Sequence, residues 1–244
     1  MRKGAKPQSV RRNRSRGATP LTSVISQVKE PTTEETKADP ASPRERIMVA
    51  ALGLFAQKGL HGVGVREIAR AAGVNVNLIS YYFKSKDELY ARLIEATAHD
   101  LNSARSAILE ELDHKYSPGV PPVSDIMYAF VHPVFELIQR DARVWNDFIQ
   151  AFRREMGTAI WQDVNTRTLT PVMRRFVTAL HRSLPSAKRS DVVFVLELAV
   201  HSLTITADSV ESTLLGENLR ADRGPEGLEN QLVQALAAAA SRFS

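Results

Sequence analysis

The sequence predicts an all-α protein, and three observations carry that prediction. Apolar residues recur at helical spacing from Pro43 nearly to the C-terminus. No run of period-two alternation bounded by turn residues occurs. Residues that start and stop helices, among them Gly59, Gly73, Asn75 and Ser85, stand at the ends of the periodic segments rather than inside them.

The first helix is expected over 44–59. Ile47, Ala50, Ala51, Leu54 and Phe55 form one apolar stripe, and Gly59 follows as a C′ residue. A short second helix over 65–72 ends at Gly73, where a left-handed turn costs other residues more. Asn75 suits the N-cap of a third helix over 76–82, since its side-chain oxygen accepts from free first-turn amides. Ser85 and Glu88 then form a capping box that opens a fourth helix running to about Tyr116. Its thirty or so residues make a rod of roughly 45 Å. The SPGVPP segment at 117–122 breaks the chain. Further helices are expected over 123–140, 142–155, 158–183, 187–215 and 225–243, with Pro133 and Pro171 marking kinks or boundaries.

Composition removes several classes of function. The chain has 244 residues and no cysteine, which excludes disulfides, a thiol nucleophile and cysteine-ligated metals, and suits a reducing cytoplasm. The nearly apolar run at 192–200 is interrupted by Glu197 and is far shorter than the roughly 18 residues of a membrane span. The six histidines are scattered, and HExxH, Walker, GxGxxG and GxSxG patterns are missing, so no enzyme, cofactor or metal site is expected.

The net charge of +5 is concentrated at one end: residues 1–16 carry seven Lys and Arg and no acid, leaving 25 basic against 27 acidic residues elsewhere. Residues 1–42, Pro/Ser/Thr-rich and poor in large apolar groups, are expected to be a disordered tail. It reads as a solvated extension, as a polybasic arm attracted to phosphates, or as a transit peptide, against which Pro7 and Pro20 count.

Two short helices joined by a glycine turn make a helix-turn-helix. Ile68, Ala69, Val74, Ile79 and Phe83 supply its small core, which leaves Val76, Asn77, Ser80 and Tyr81 on the opposite face, with Tyr82 and Lys86 beyond. An amide such as Asn77 reads an adenine edge through two bonds, Ser80 is a tolerant partner and Val76 suits a thymine methyl. Asn75, Tyr81, Tyr82 and Lys86 suit phosphate oxygens.

The run GLHGVGVREIARAAGVNVNLISYYFKSKDELYARLIE at 59–95, after the helix RERIMVAALGLFAQKG, resembles the DNA-binding domain of the TetR family of bacterial regulators. Phe55, Gly59, Val65, Ile68, Gly73, Tyr82, Phe83 and Lys86 are among the residues that carry the likeness, which spans about residues 44–95. The resemblance implies a head over 43–95 that enters a major groove of an operator duplex, and adds Arg66 as a DNA contact. It also implies a helical domain over 96–244 that forms a homodimer and binds a small inducer. Two features depart from the family: Val63 and Gly64 stand where a hydroxyl N-cap is usual, and Leu78 replaces a small residue.

In the C-terminal part seven aromatics lie between Tyr128 and Trp161. They read either as ordinary helical core or as an apolar ligand cavity. In the second reading Phe130, Trp145, Phe148, Phe152 and Trp161 form walls, while His132, Asn146 and Arg153 orient the guest. The last two helices carry small and apolar stripes: Leu196, Ala199, Leu203, Ala207 and Val210 on one, Leu228, Leu232, Leu236 and Ala239 on the other. These fit burial within the monomer or, as the family resemblance favours, a four-helix interface between two copies. The expected function is thus a dimeric, DNA-binding transcriptional repressor released by a small molecule. One alternative is a DNA-binding regulator whose C-terminal half only dimerises or docks a partner. Another is a helical enzyme or lipid carrier that never meets DNA.

Overall fold

The structure, a computed structural model, describes residues 42–208 and 219–243. The tail over 1–41 and Val210 lie outside the described residues, as does the side chain of Ala207. Among the described residues there are eight helices and no strand. They are α1 Pro43–Lys58, α2 Val65–Ala72, α3 Val76–Tyr82, α4 Lys86–Tyr116, α5 Val123–Arg154, α6 Ala159–Ser183, α7 Arg189–Asp208 and α8 Leu219–Ser241. None is long and apolar enough to cross a membrane.

The first four elements fall within a residue or two of their expected limits because their end signals are local. Gly73 adopts the left-handed conformation (φ 64°, ψ 36°), and its N–H donates back to the carbonyls of Ala69 and Arg70. Asn75 caps α3, its Oδ1 accepting the Asn77 N–H at 2.9 Å. Ser85 caps α4 by accepting the Glu88 N–H at 3.0 Å. The expected capping box there is only half made: Glu88 accepts from the Lys84 N–H at 3.2 Å instead of from Ser85. A complete box stands at the start of α1, where Ser42 and Glu45 accept each other's backbone N–H groups at 3.2 and 2.7 Å. At α2 no side chain caps Gly64, in keeping with the missing hydroxyl.

The two helices expected over 123–140 and 142–155 form one element bent at Asp141 (φ −156°, ψ 87°). Asp141 Oδ1 accepts the Val144 N–H at 3.1 Å and so starts the second half as an N-cap does. Pro133 and Pro171 remain inside helices. In α8 the break falls at Gly224 (φ 65°).

α5 is the central element, packed against α1, α4, α6, α7 and α8. Its buried residues Ile126, Met127, Phe130, Val131, Val134 and Phe135 are at most 1% exposed. α1 sits between α5 and the helix-turn-helix, so the head is mounted on the C-terminal domain rather than tethered to it. The rod α4 runs from the head into that domain, where it packs on α5 and α6.

Candidate functional site

The head is built so that one face of α3 has nothing to pack against. Ile68, Ile79 and Phe83 are at most 2% exposed and hold α2 and α3 on α1. Val74 and Leu78 pack partly against the same core. Leu78 thus points away from the polar side, as its size demands. With those positions inward, Asn75, Val76, Asn77, Ser80 and Tyr81 are exposed, and Arg66 is exposed on α2. Tyr81 is 65% exposed and meets the half-buried Tyr82 edge-on, with ring centroids 5.0 Å apart. Two amides, a hydroxyl, two phenols and a guanidinium are therefore left open to solvent on α2 and α3, groups suited to base edges and phosphates.

Lys86 differs from the expectation of a free phosphate contact. Its Nζ donates to the Val63 carbonyl at 2.8 Å, tying the loop before α2 to the start of α4. An ammonium has three donors, so this brace leaves two for a phosphate. Glu67 is held by Lys58 across the α1–α2 corner, and the hydrogen bond from that ammonium pulls its carboxyl below the ordinary range.

Four bonds fix the seam between the head and α5. Arg154 donates from Nε to the Ala56 carbonyl at 2.9 Å and from its terminal nitrogen to Gln57 at 3.1 Å, a cation set on the C-terminal end of α1. Buried Glu155 accepts the Leu60 N–H at 3.0 Å. The Tyr90 hydroxyl donates to the Ala151 carbonyl at 3.1 Å. Burial, helped by the Glu155 charge, pushes the Tyr90 phenol well above its ordinary pKa.

Behind the seam an apolar cavity of about 60 Å³ lies between α4, α5, α6 and α7. Of the eight residues expected to form a ligand site, Trp145, Phe148 and Phe152 line it. Trp161 packs on Phe152 with centroids 5.9 Å apart. Phe130 lies deeper, edge-on to Phe176 at 5.1 Å. The three polar residues are elsewhere. His132 faces α8, where its Nδ1 is 2.7 Å from Glu229 Oε1, and stacks on Tyr128 at 4.5 Å. Arg153 is exposed, and Asn146 is half-buried away from the cavity walls. Helical rotation explains the last two: a spacing that puts Trp145, Phe148 and Phe152 on one face turns residues 146 and 153 away from it, while His132 lies on the other side of the bend at Asp141.

The charged residue that does line the cavity, Arg105, is not among the expected ligand residues. On α4, Ile94, Ala98, Leu101 and Arg105 line it at spacings that keep one helix face, so a cation interrupts an apolar stripe. That interruption is the sequence signal. Arg105 is 5% exposed; its Nε donates to the Phe130 carbonyl at 2.9 Å and a terminal nitrogen approaches Asn102 Oδ1 at 3.4 Å. The guanidinium carbon lies 4.1 Å from the Phe130 ring centroid.

The expected dimer stripes also turn inward in part. Leu196, Ala199, Leu203 and Leu236 are at most 3% exposed within the single chain, packed on its own core. Leu228, Leu232 and Ala239 are half-buried. α7 is apolar on two sides, and the side that faces away from the core shows Phe194 (59% exposed) and Leu198 (40%). Spacing alone does not say which side meets the chain's own core.

Residues 47–93 match the family model described as bacterial regulatory proteins, tetR family, and residues 128–239 match that described as tetracyclin repressor-like, C-terminal domain. The curated "Probable HTH-type transcriptional regulator YttP" of Bacillus subtilis is 45% identical over 71 residues, 28% of this chain and 34% of that protein. The HTH-type transcriptional regulator BetI of Escherichia coli is 27% identical over 168 residues, 67% of this chain and 81% of BetI. Among solved structures, the transcriptional regulator FadR of Bacillus subtilis in complex with stearoyl-CoA superimposes with a TM-score of 0.53 at 17% identity, over 80% of this chain and 97% of FadR. An exposed reading face on α3 thus coincides with a matched DNA-binding domain, and the helices behind it with the matching C-terminal domain. The chain belongs to the TetR family and is a DNA-binding, helix-turn-helix transcriptional regulator.

Proposed function

We propose that this regulator acts in the cytoplasm as a homodimeric repressor of a near-palindromic operator and is released by a small molecule held among α4, α5, α6 and α7. The observation that carries the proposal is the double role of α4. At its start the rod is tied to the head through Lys86, whose ammonium donates to the Val63 carbonyl, and about 22 Å further on, at Leu101, it forms the wall of the cavity. A cavity of about 60 Å³ is the share of roughly two waters in the liquid, so a larger guest has to part its walls. A guest that tilts α4 changes the separation of two heads in a dimer, and with it the match to half-sites one DNA turn or a multiple apart. A coupling of about 1–3 kcal/mol changes operator affinity roughly 5- to 150-fold.

Asn77, Ser80 and Val76 are proposed as base readers; Arg66, Asn75, Tyr81, Tyr82 and Lys86 hold phosphates. Phe194 and Leu198 on α7, with the half-buried Leu228, Leu232 and Ala239 of α8, are proposed to meet the second copy. FadR, which shares the fold, is seen with stearoyl-CoA bound, which supports the small-molecule reading. The test is selection of binding sites from random duplexes, followed by the Asn77→Ala variant. A near-palindrome is expected, with affinity lowered about 5- to 150-fold for each half-site and preference relaxed at one base pair in each, as loss of a paired base contact worth about 1–3 kcal/mol per half-site requires. Recovery of no preferred sequence overturns the proposal.

A further inference from the structure

Arg105 presents a problem that the described side chains do not solve. Burial of a guanidinium is costly without a counter-charge, yet no carboxylate among the described residues lies within ion-pair distance of it. The nearby cleft of about 750 Å³ on the outer side of α4 and α6 makes the contrast plain. There Arg92 pairs with Glu88 and Glu95, Arg167 with Glu95 and Asp163, and Arg175 with Glu110. Those cations are neutralised at the surface, where the need is smallest.

The two bonds Arg105 does make explain its place but not its charge. Pro133 has no N–H to offer the preceding turn of α5, and the Phe130 carbonyl in that turn receives Arg105 Nε. A carbonyl and an amide oxygen satisfy donors while leaving the net positive charge in an apolar chamber. Burial accordingly lowers the guanidinium pKa to about 10. Trp145 lines the same chamber, and its buried indole N–H meets no acceptor among the described residues. Two further buried polar atoms without a partner stand close behind, Trp161 Nε1 on the ring that packs against Phe152 and Asn165 Oδ1 one turn before Thr168 and Leu169.

We propose that the cavity receives an amphipathic monocarboxylate, with Arg105 supplying the counter-charge, the Trp145 N–H a further donor, and Phe148, Phe152 and Leu203 enclosing an aliphatic or aromatic body. One buried cation matches one negative charge, which favours a carboxylate over a doubly charged phosphate ester. A neutral guest or water leaves the charge as it stands. The route in passes Asn102, whose side-chain amide donates to the Thr168 carbonyl at 3.0 Å and whose residue, like Thr168, lines both the cavity and the outer cleft. This assignment rests on the ligand-released reading above and gives that ligand its chemical class.

The experiment follows tryptophan fluorescence of the full chain, both of whose tryptophans lie at or beside the cavity. Decanoate and 4-phenylbutyrate are titrated against 1-decanol and 4-phenylbutanol. At least one acid is expected to bind about tenfold or more tightly than its alcohol, as a charge-assisted hydrogen bond requires. Arg105→Gln is expected to erase that preference and Arg105→Lys to keep most of it. Equal binding of acids and alcohols, binding of no acid, or an acid preference that survives Arg105→Gln overturns the proposal. Should Arg105→Gln not fold, the comparison of acid with alcohol in the unaltered protein and in Arg105→Lys decides. Release of a selected duplex is measured separately. Acid binding without release overturns induction and leaves the carboxylate site standing. Release by the alcohols with no binding of acids does the reverse.

Discussion

In the three-helix head, Ser42, Asn75 and Ser85 each close a helix start by accepting an N–H two or three residues away, and Gly73 returns its own N–H to the turn before it. In the helical domain behind, Arg105 reaches 25 residues along the chain to Phe130, Asn102 reaches Thr168, and the Trp145 indole N–H finds no acceptor among the described residues. The head spends polar groups on its own helix termini and leaves one face of α3 toward solvent. The domain keeps a buried cation without a described counter-charge, and an indole N–H without a described acceptor, at the walls of a narrow chamber. A surface that must present the same face to every operator gains from complete local bonding. A chamber that must respond to a guest gains from polar atoms whose needs only the guest meets.

The contrast holds only if the head is not an independent unit, since a signal has to cross the seam. Phe55 tests this with the largest expected effect. It is fully buried in α1, edge-on to Tyr90 of α4 at 5.7 Å, and α1 packs on α5 as well as on α2. Phe55→Ala is expected to cost about 3–5 kcal/mol, the range for deleting a buried aromatic ring. Calorimetry should show one cooperative transition moved down in temperature. A separate early transition of the head alone breaks the comparison, because it shows two units folding apart.

Glu155→Ala probes the same seam more gently. It strands the buried Leu60 N–H, a loss of about 1–3 kcal/mol. Faster hydrogen exchange at Leu60 is the direct readout, and release of DNA by ligand is expected to weaken while ligand binding stays unchanged. Undiminished release places the transmission along α4 alone and so sharpens the account.

The same contrast decides what was legible in the sequence. Asn75, Gly73 and Ser85 act on atoms within a few residues, so their types and positions define α2, α3 and the start of α4. Even there, Glu88 chose Lys84 over Ser85, a difference of one residue that local chemistry does not resolve. The aromatic wall of the cavity was visible because Trp145, Phe148 and Phe152 share a helix face. Its charged residue was not, since His132, Asn146 and Arg153 lie near those aromatics in sequence while Arg105 comes from another helix. The faces of α7 were illegible for a related reason. Leu196 and Phe194 are equally apolar, and only the position of α5 decides which of them is inside.

The smallest effect on the fold is expected from removal of residues 1–40, and it separates two sources of DNA affinity. The described head carries its positive groups at fixed places such as Arg66 and Lys86, whereas Arg2, Lys3, Lys6, Arg11, Arg12, Arg14 and Arg16 form a dense basic run in the sequence alone. If that run engages phosphates, each contact contributes about 0.9 to the slope of log affinity against log salt, and deletion flattens the slope while the preferred operator stays the same. The melting temperature is expected not to move, because none of the seam or cavity bonds involves those residues. A changed operator preference assigns the tail to base reading and takes specificity away from α3 alone. An unchanged slope leaves all of the phosphate affinity with the head, where geometry rather than charge density sets it.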